Sequence, residues 1–149
     1  MVWRLAPSQR VLVASPQYLA RRGLPRTRAE LENHDGLFYT NRGVADWRFV
    51  SRGKAIMVRA RARLAMNNGD MIHDAAVAGL GIAHLPMFVA GPAIRAGKLR
   101  VIEIGIQAEE ECIFIAHPQG RHASAKLRAL AQHLRAAFGT PPYWERRPT

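Results

Sequence analysis

Cysteine, acidic side chains and uninterrupted apolar runs are all scarce in this sequence of 149 residues. The only cysteine, Cys112, excludes an internal disulfide and fits a reducing compartment, so we expect a cytoplasmic protein that buries this small side chain. Residues 75–94 are the one run as long as a bilayer span. Glycines and prolines interrupt that run, which predicts buried elements of a globular core and no membrane partner. Met1 precedes no apolar stretch of the kind that a signal peptide needs.

The scarcity of acidic residues leaves a formal net charge of +11, from 22 Lys and Arg against 11 Asp and Glu. Such a balance points towards nucleic acid as a partner. However, the basic residues are nearly all arginines spread along the chain, and residues 64–94 contain none. We therefore favour a solvated arginine-rich surface and keep a basic nucleic-acid-binding protein as an alternative. The chain is 48% hydrophobic and long enough for one domain with a buried core.

Motifs for catalysis and for metal binding are also missing. The sequence has no Gly-x-Ser-x-Gly turn, no His-Glu-x-x-His motif and no glycine-rich phosphate loop that leads into a helix. Asp70, His73 and Asp74 could share one helical face, but no cysteine cluster accompanies them. We therefore expect a binding module and not an enzyme, with no metal and no cofactor.

The most informative stretch is residues 65–87, which predicts a strand end, a polar turn, a helix, a glycine break and a second buried strand. The side chains of Asn67 and Asn68 can accept hydrogen bonds from the first N–H groups of the helix. Apolar residues spaced three and four apart, from Met71 to Leu80, predict its buried stripe. A strand that leads to an exposed helix N-terminus commonly forms a site for a small ligand.

The rest of the chain alternates predicted strands and helices. Ser15 followed by proline predicts the N-cap of a helix, and Ser124 predicts the start of the last helix. Residues 56–66 alternate apolar and polar side chains, which predicts one long strand with three arginines on its solvent face. Residues 87–96 are expected to be helical in pieces. Together these elements predict an α/β fold.

Seven motifs, in this order, resemble the effector-binding domain of LysR-type transcriptional regulators. They are VASPQYLARRGLP at residues 13–25, LxxH at 31–34, WxF at 47–49, NNGD at 67–70, AAVAGLGIAxLP at 75–86, GxL at 97–99, and a closing segment at 117–128. The resemblance extends from about Arg10 to Phe138, which is most of the chain.

This resemblance implies an α/β, periplasmic-binding-protein-like (type 2) fold, with one subdomain largely complete and the other partial. Residues 1–12 would be the partial first subdomain and a hinge strand, and residues 13–111 the second, effector-binding subdomain. Residues 112–139 would be the return hinge strand and the last helix, followed by a flexible tail at 140–149. The two hinge crossings would be residues 10–15 and 112–116. The resemblance also implies that this sequence lacks the N-terminal helix-turn-helix and most of the first subdomain of that family.

The resemblance also implies a function in transcription regulation, with a small metabolite, expected to be an organic acid, as the effector. The effector-binding residues it implies are Ser15, Tyr39, Thr40, Asn41, Asn67, Asn68, Gly69 and Asp70. Asn67 and Asn68 could instead serve only as helix caps. We expect a homo-oligomer that contacts DNA only through the absent helix-turn-helix. A solute-binding protein of the same fold is the second alternative.

Overall fold

The computed structural model describes residues 2–42, 46–118 and 124–146. The strands are β1 (Val2–Ser8), β2 (Arg10–Ala14), β3 (Asp35–Tyr39), β4 (Asp46–Ser51), β5 (Lys54–Arg59), β6 (Arg61–Met66), β7 (Ile82–Pro86), β8 (Arg100–Ile102), β9 (Gln107–Ala108) and β10 (Glu111–Ala116). The helices are α1 (Pro16–Arg22), α2 (Arg28–Leu31), α3 (Gly69–Val77), α4 (Met87–Arg95) and α5 (Ala125–Phe138). Short 3-10 turns occupy Thr40–Arg42 and Tyr143–Glu145.

A five-stranded sheet in the order β6-β3-β7-β2-β8 forms the centre of the fold. β3 is parallel to β6 and β7, whereas β2 is antiparallel to both β7 and β8. Every residue of β2 is buried, as expected for a continuous apolar run inside a covered sheet. Because of these directions, the ends of β3, β6 and β7 and the start of β2 lie at one edge of the sheet. We call this the cavity edge, because a cavity opens there.

Two apolar cores lie on the two faces of this sheet. Neighbouring residues of one strand belong to different cores, because successive side chains point to opposite faces. Val13 and Leu37 join the core beneath α3 and α4, whereas Leu12 and Phe38 join the second core. The three-stranded sheet β5-β4-β9 covers that second core, where the rings of Phe38 and Trp47 stack with their centroids 4.8 Å apart.

β1 and β10 form a separate antiparallel pair. α5 packs against β1, and the Arg135 guanidinium donates hydrogen bonds to the Arg4 carbonyl oxygen. β10, which contains the predicted hinge crossing at residues 112–116, pairs with β1, and the hinge role of residues 10–15 stays a prediction. Residues 10–14 form β2, which lies between β7 and β8 in the five-stranded sheet. Only Gln9 separates β1 from β2 along the chain.

The long strand predicted at residues 56–66 is two strands. The first strand ends before Ala60 and the second begins after it. β5 pairs with β4 in the three-stranded sheet, and β6 pairs with β3 in the five-stranded sheet. Apolar and polar residues alternate through both strands, because each strand keeps one face towards the protein interior. The sequence pattern therefore could not reveal that the two strands belong to different sheets. Arg61 and Arg63 are exposed, as predicted for the solvent face.

Two details of the helices also differ from the predictions. Met71 and Leu80 were predicted to lie on the buried stripe of α3, but they are 55% and 39% exposed. The stripe is narrower, consisting of Ile72, Ala75 and Ala76, because only this face of a nine-residue helix meets the sheet. α4 is one continuous helix and contains Pro92, although the sequence predicted helical pieces.

The described part of the predicted flexible tail, residues 140–146, contains a deeply buried side chain. Trp144 is 3% exposed and packs against Phe138 at a ring-centroid distance of 4.9 Å. Burial of a large indole holds residues 140–146 against the domain. Residues 147–149 of the predicted tail, and residues 119–123 of the closing motif, lie outside the described part of the chain.

Candidate functional site

A cavity of about 420 Å³ opens at the cavity edge of the five-stranded sheet. It lies between this edge and β10, so both sheets contribute to its wall. Its lining residues are Ser8, Arg10, Tyr39, Gly69, Ile72, Leu85, Pro86, Phe88, Val89, Glu111, Cys112 and Ile113. Most of this surface is apolar, and a few polar groups stand on it, which is the usual composition of a small-molecule site.

The strongest electrostatic feature of the cavity is the pair formed by Arg10 and Glu111. The Arg10 side chain is 9% exposed, and its Nη1 lies 3.6 Å from Glu111 Oε2. Its Nη2 donates a hydrogen bond to the carbonyl oxygen of His84. A charge this deeply buried needs such partners, because desolvation would otherwise be very unfavourable. The pair joins the start of β2 to the start of β10 across the cavity.

The start of α3 forms one corner of the cavity through Gly69. The Asn68 side chain is the helix N-cap, and its Oδ1 accepts hydrogen bonds from Asp70 N–H at 2.9 Å and Met71 N–H at 3.3 Å. Two of the N–H groups that the sequence offered to a ligand are therefore already bonded. Asn67, Asn68 and Asp70 are exposed beside the cavity and do not line it.

The start of α4 forms a second corner of the cavity. Its N-cap is Pro86, which makes no side-chain capping bond, and Met87 N–H donates to the Gln9 carbonyl oxygen at 2.8 Å. Phe88 and Val89 follow on the cavity wall. N–H groups in the first turn of a helix have no partner within that helix, and the positive end of the helix favours an anion. α4 therefore presents a better anion-binding end to the cavity than the capped α3.

Tyr39 supplies a ring and a hydroxyl group to the cavity wall. Its Oη accepts a hydrogen bond from Asn41 Nδ2 at 3.0 Å, so Asn41 orients the tyrosine from outside the cavity. Thr40 and Asn41 are exposed in the 3-10 turn after β3 and do not line the wall.

Ser15 is the one predicted site residue that lies at the opposite edge of the sheet. It is buried, and its Oγ caps α1 by accepting the Tyr18 N–H at 3.1 Å. The reason is the direction of β2, which runs antiparallel to β7 and carries Arg10 at the cavity edge. Sequence reasoning missed Arg10 for the same reason. The sequence does contain one indication of its role, because Arg10 is a charged residue at the start of an otherwise apolar run.

Cys112 was predicted to be a small buried side chain, but it is only half-buried and lies on the cavity wall. It occupies that position because β10 pairs on one side with β1 and faces the cavity on the other. The described residues include no group of three or more His, Cys, Asp and Glu that could hold a metal ion. No helix within the described ranges is long and apolar enough to cross a membrane.

Comparison with known protein families gives one match over nearly the whole chain. A family model described as the LysR substrate binding domain matches residues 2–139. An uncharacterised HTH-type transcriptional regulator of Haemophilus influenzae is 32% identical over 119 residues, which cover 79% of this chain and 41% of that protein. The HTH-type transcriptional regulator PgrR of Escherichia coli is 30% identical over 127 residues, covering 83% and 42%. The chain thus spans about two fifths of the length of these relatives.

Solved structures give the same result for the fold. The regulatory domain of CrgA, a LysR-type transcriptional regulator from Neisseria meningitidis, superposes with a TM-score of 0.78 at 22% identity. The match covers 93% of this chain and 69% of that chain. The predicted α/β, periplasmic-binding-protein-like fold is thereby confirmed.

Proposed function

The chain belongs to the LysR substrate-binding domain family, and on that premise we propose that its cavity binds a small organic acid that acts as the effector of a transcriptional regulator. The chain covers only part of each relative, so regulation of transcription is proposed for the whole regulator and effector binding for this domain. The alternative of a basic nucleic-acid-binding protein predicts instead an affinity for duplex DNA that no acid changes.

The observation that carries the proposal is the buried Arg10 beside an uncapped helix start. A carboxylate in the cavity would meet the Arg10 guanidinium and the N–H groups of Phe88 and Val89 in the first turn of α4, and both favour a negative charge. Apolar side chains such as Leu85 and Ile113 would contact the rest of the acid. Because Glu111 lies on β10 and Arg10 on β2, an acid that competes for Arg10 would shift the balance between two packings of the sheets.

Thermal melting of the 149-residue chain with acetate, butyrate, succinate and benzoate tests this proposal. At a concentration of about a hundred times its dissociation constant, the bound acid should raise the melting temperature by about 5–10 °C. A Cβ at Gly69 would meet no atom within 4 Å, so Gly69→Ala should keep the fold while reducing the space for the acid. Tyr39→Phe removes only the hydroxyl group from the wall.

We expect both cavity variants to lose much of the acid-induced rise and to melt within about 2 °C of the unliganded wild type. Tyr143→Phe, which changes an exposed tyrosine that does not line the cavity, should respond to the acid as the wild type does. The proposal is wrong if no acid moves the melting temperature, or if all three variants respond equally. Duplex DNA binding at physiological salt, unchanged by every acid, would favour the nucleic-acid alternative.

We also infer that the whole regulator is a homo-oligomer. Apolar side chains on β1, β10 and α5 support this, since Val2, Phe114 and Leu130 are all about half exposed or more. Sedimentation velocity of the wild type and of Phe114→Ser tests whether this chain associates by itself. Concentration-dependent association that the substitution reduces would support the inference, and a monomer at all concentrations would oppose it for this domain.

A further inference from the structure

Residues 140–146 lie beyond the stretch that matches the family model, yet they are built into the fold. Trp144, in the 3-10 turn Tyr143–Glu145, is almost completely buried. We refer to Trp144 and Glu145 together as the C-terminal clasp. The family match at residues 2–139 does not extend to these two residues.

The Trp144 side chain contacts three different elements. Its ring lies edge-on to Phe138 of α5 at a centroid distance of 4.9 Å, and to Phe88 of α4 at 6.3 Å. Its Nε1–H donates a hydrogen bond to the carbonyl oxygen of Pro7 in β1 at 3.3 Å. One indole therefore ties the β1–α5 unit to the helix that begins at the cavity.

Glu145 acts on the junction between β1 and β2. Its Oε1 accepts a hydrogen bond of 2.7 Å from the backbone N–H of Gln9, the one residue between these strands. The carbonyl oxygen of Gln9 in turn accepts the N–H of Met87, the first residue of α4, at 2.8 Å. A charged acceptor makes the first of these bonds stronger than a neutral pair would be. Glu145, Gln9 and Met87 thus form a continuous chain of hydrogen bonds.

The points that the clasp holds are the immediate neighbours of cavity residues. Ser8 and Arg10 flank Gln9, and Phe88 follows Met87, and all three line the cavity. We propose that the C-terminal clasp is a positioning element, which fixes the β1–β2 junction against the start of α4 and so sets the separation of the Arg10 and Phe88 walls. Its effect on a bound acid rests on the proposed function, whereas its effect on the junction does not.

Hydrogen exchange of the unliganded 149-residue chain, measured by mass spectrometry, tests the effect on the junction. Glu145→Ala removes the acceptor and should raise the exchange rates of amides in residues 9–14 and 86–90 roughly tenfold. Glu145→Gln keeps an acceptor oxygen and should restore rates close to those of the wild type. Tyr143→Phe, in the same turn, should leave the rates unchanged.

Two results would overturn the proposal. One is Glu145→Ala with wild-type rates at the junction. The other is an equal rise throughout the chain, including the β4–β5 hairpin, because that would report a loss of global stability. Trp144→Phe provides a second variant that keeps an aromatic ring and removes the donor to Pro7, and it should raise exchange in β1 selectively.

Benzoate serves as the probe for the effect on the cavity. If benzoate raises the melting temperature of the wild type, Glu145→Ala should bind it several-fold more weakly and Glu145→Gln should bind it normally. Equal affinity of Glu145→Ala and the wild type would overturn the positioning role at the cavity. A wild type that does not bind any acid would count against the proposed function, and the exchange rates alone would then decide on the clasp.

Discussion

Gly81→Ala should be strongly destabilising, because Gly81 sits where β3 and β7 begin to pair. A Cβ here would lie 2.6 Å from the backbone oxygen of Asp35, about 0.8 Å closer than an ordinary contact of 3.4 Å. That oxygen cannot rotate away, since the first paired residues of the two strands, Gly36 and Ile82, follow directly. We expect the free energy of unfolding to fall by about 2 kcal/mol, within the range of roughly 1–3 kcal/mol for overpacked cores.

Gly69→Ala is the matched control, because the same methyl group at Gly69 meets no atom within 4 Å. Urea unfolding followed by tryptophan fluorescence and by far-ultraviolet circular dichroism measures both variants. The denaturant slope should be unchanged, and Gly69→Ala should lie within about 0.5 kcal/mol of the wild type. If Gly81→Ala proved as stable as Gly69→Ala, the inferred contact between Gly81 and the start of β3 would be refuted.

Two further substitutions test buried and capping groups. Burial lowers the pKa of His34 below its usual 6.5, and the positive charge of Arg22 lowers it further. The Tyr18 hydroxyl lies 3.1 Å from His34 Nδ1. His34 therefore binds a proton more readily in the unfolded chain than in the folded one. The urea midpoint of the wild type should fall as the pH decreases from 7.5 to 5.5, and the midpoint of His34→Gln should fall less. Asn68→Ala should lower the free energy of unfolding by about 1 kcal/mol through loss of the N-cap, whereas exposed Asn67→Ala should change it by less than about 0.5 kcal/mol. Equal urea midpoints for the two asparagine variants would contradict the cap.

Elements whose signals are local could be predicted from the sequence. Ser15 caps α1 and Ser124 caps α5 as expected, because a cap is specified by its own side chain and the next three residues. The break at Ala60 could not be predicted, because it depends on which distant strand each half pairs with. The exposure of Met71 depends likewise on how much of α3 the sheet can cover.

The candidate site was predicted in part. Tyr39 and Gly69 line the cavity, since Tyr39 is the last residue of β3 and Gly69 follows the end of β6 at the same edge of the sheet. Arg10 and Glu111 lie far apart in the sequence, and only the pairing of β2 with β7 and of β1 with β10 brings them together. Ser15 lies at the opposite edge because β2 runs antiparallel to β7, and local motifs carry no information on whether a neighbouring strand is parallel or antiparallel.

The position of β2 in the middle of the sheet also bears on how the chain is made. Within this chain β1 and β2 are made before their partners, because β7, β8 and β10 all come from residues 82–116. The β4–β5 hairpin can close as soon as it emerges, because its turn at Arg52 and Gly53 already has the left-handed backbone that such a turn requires. Until β7 and β8 have been made, the apolar β2 has no strand to pair with, and exposed apolar strands make a nascent chain prone to aggregate. β1 and β2 can therefore be paired only after their partners in residues 82–116 have been made.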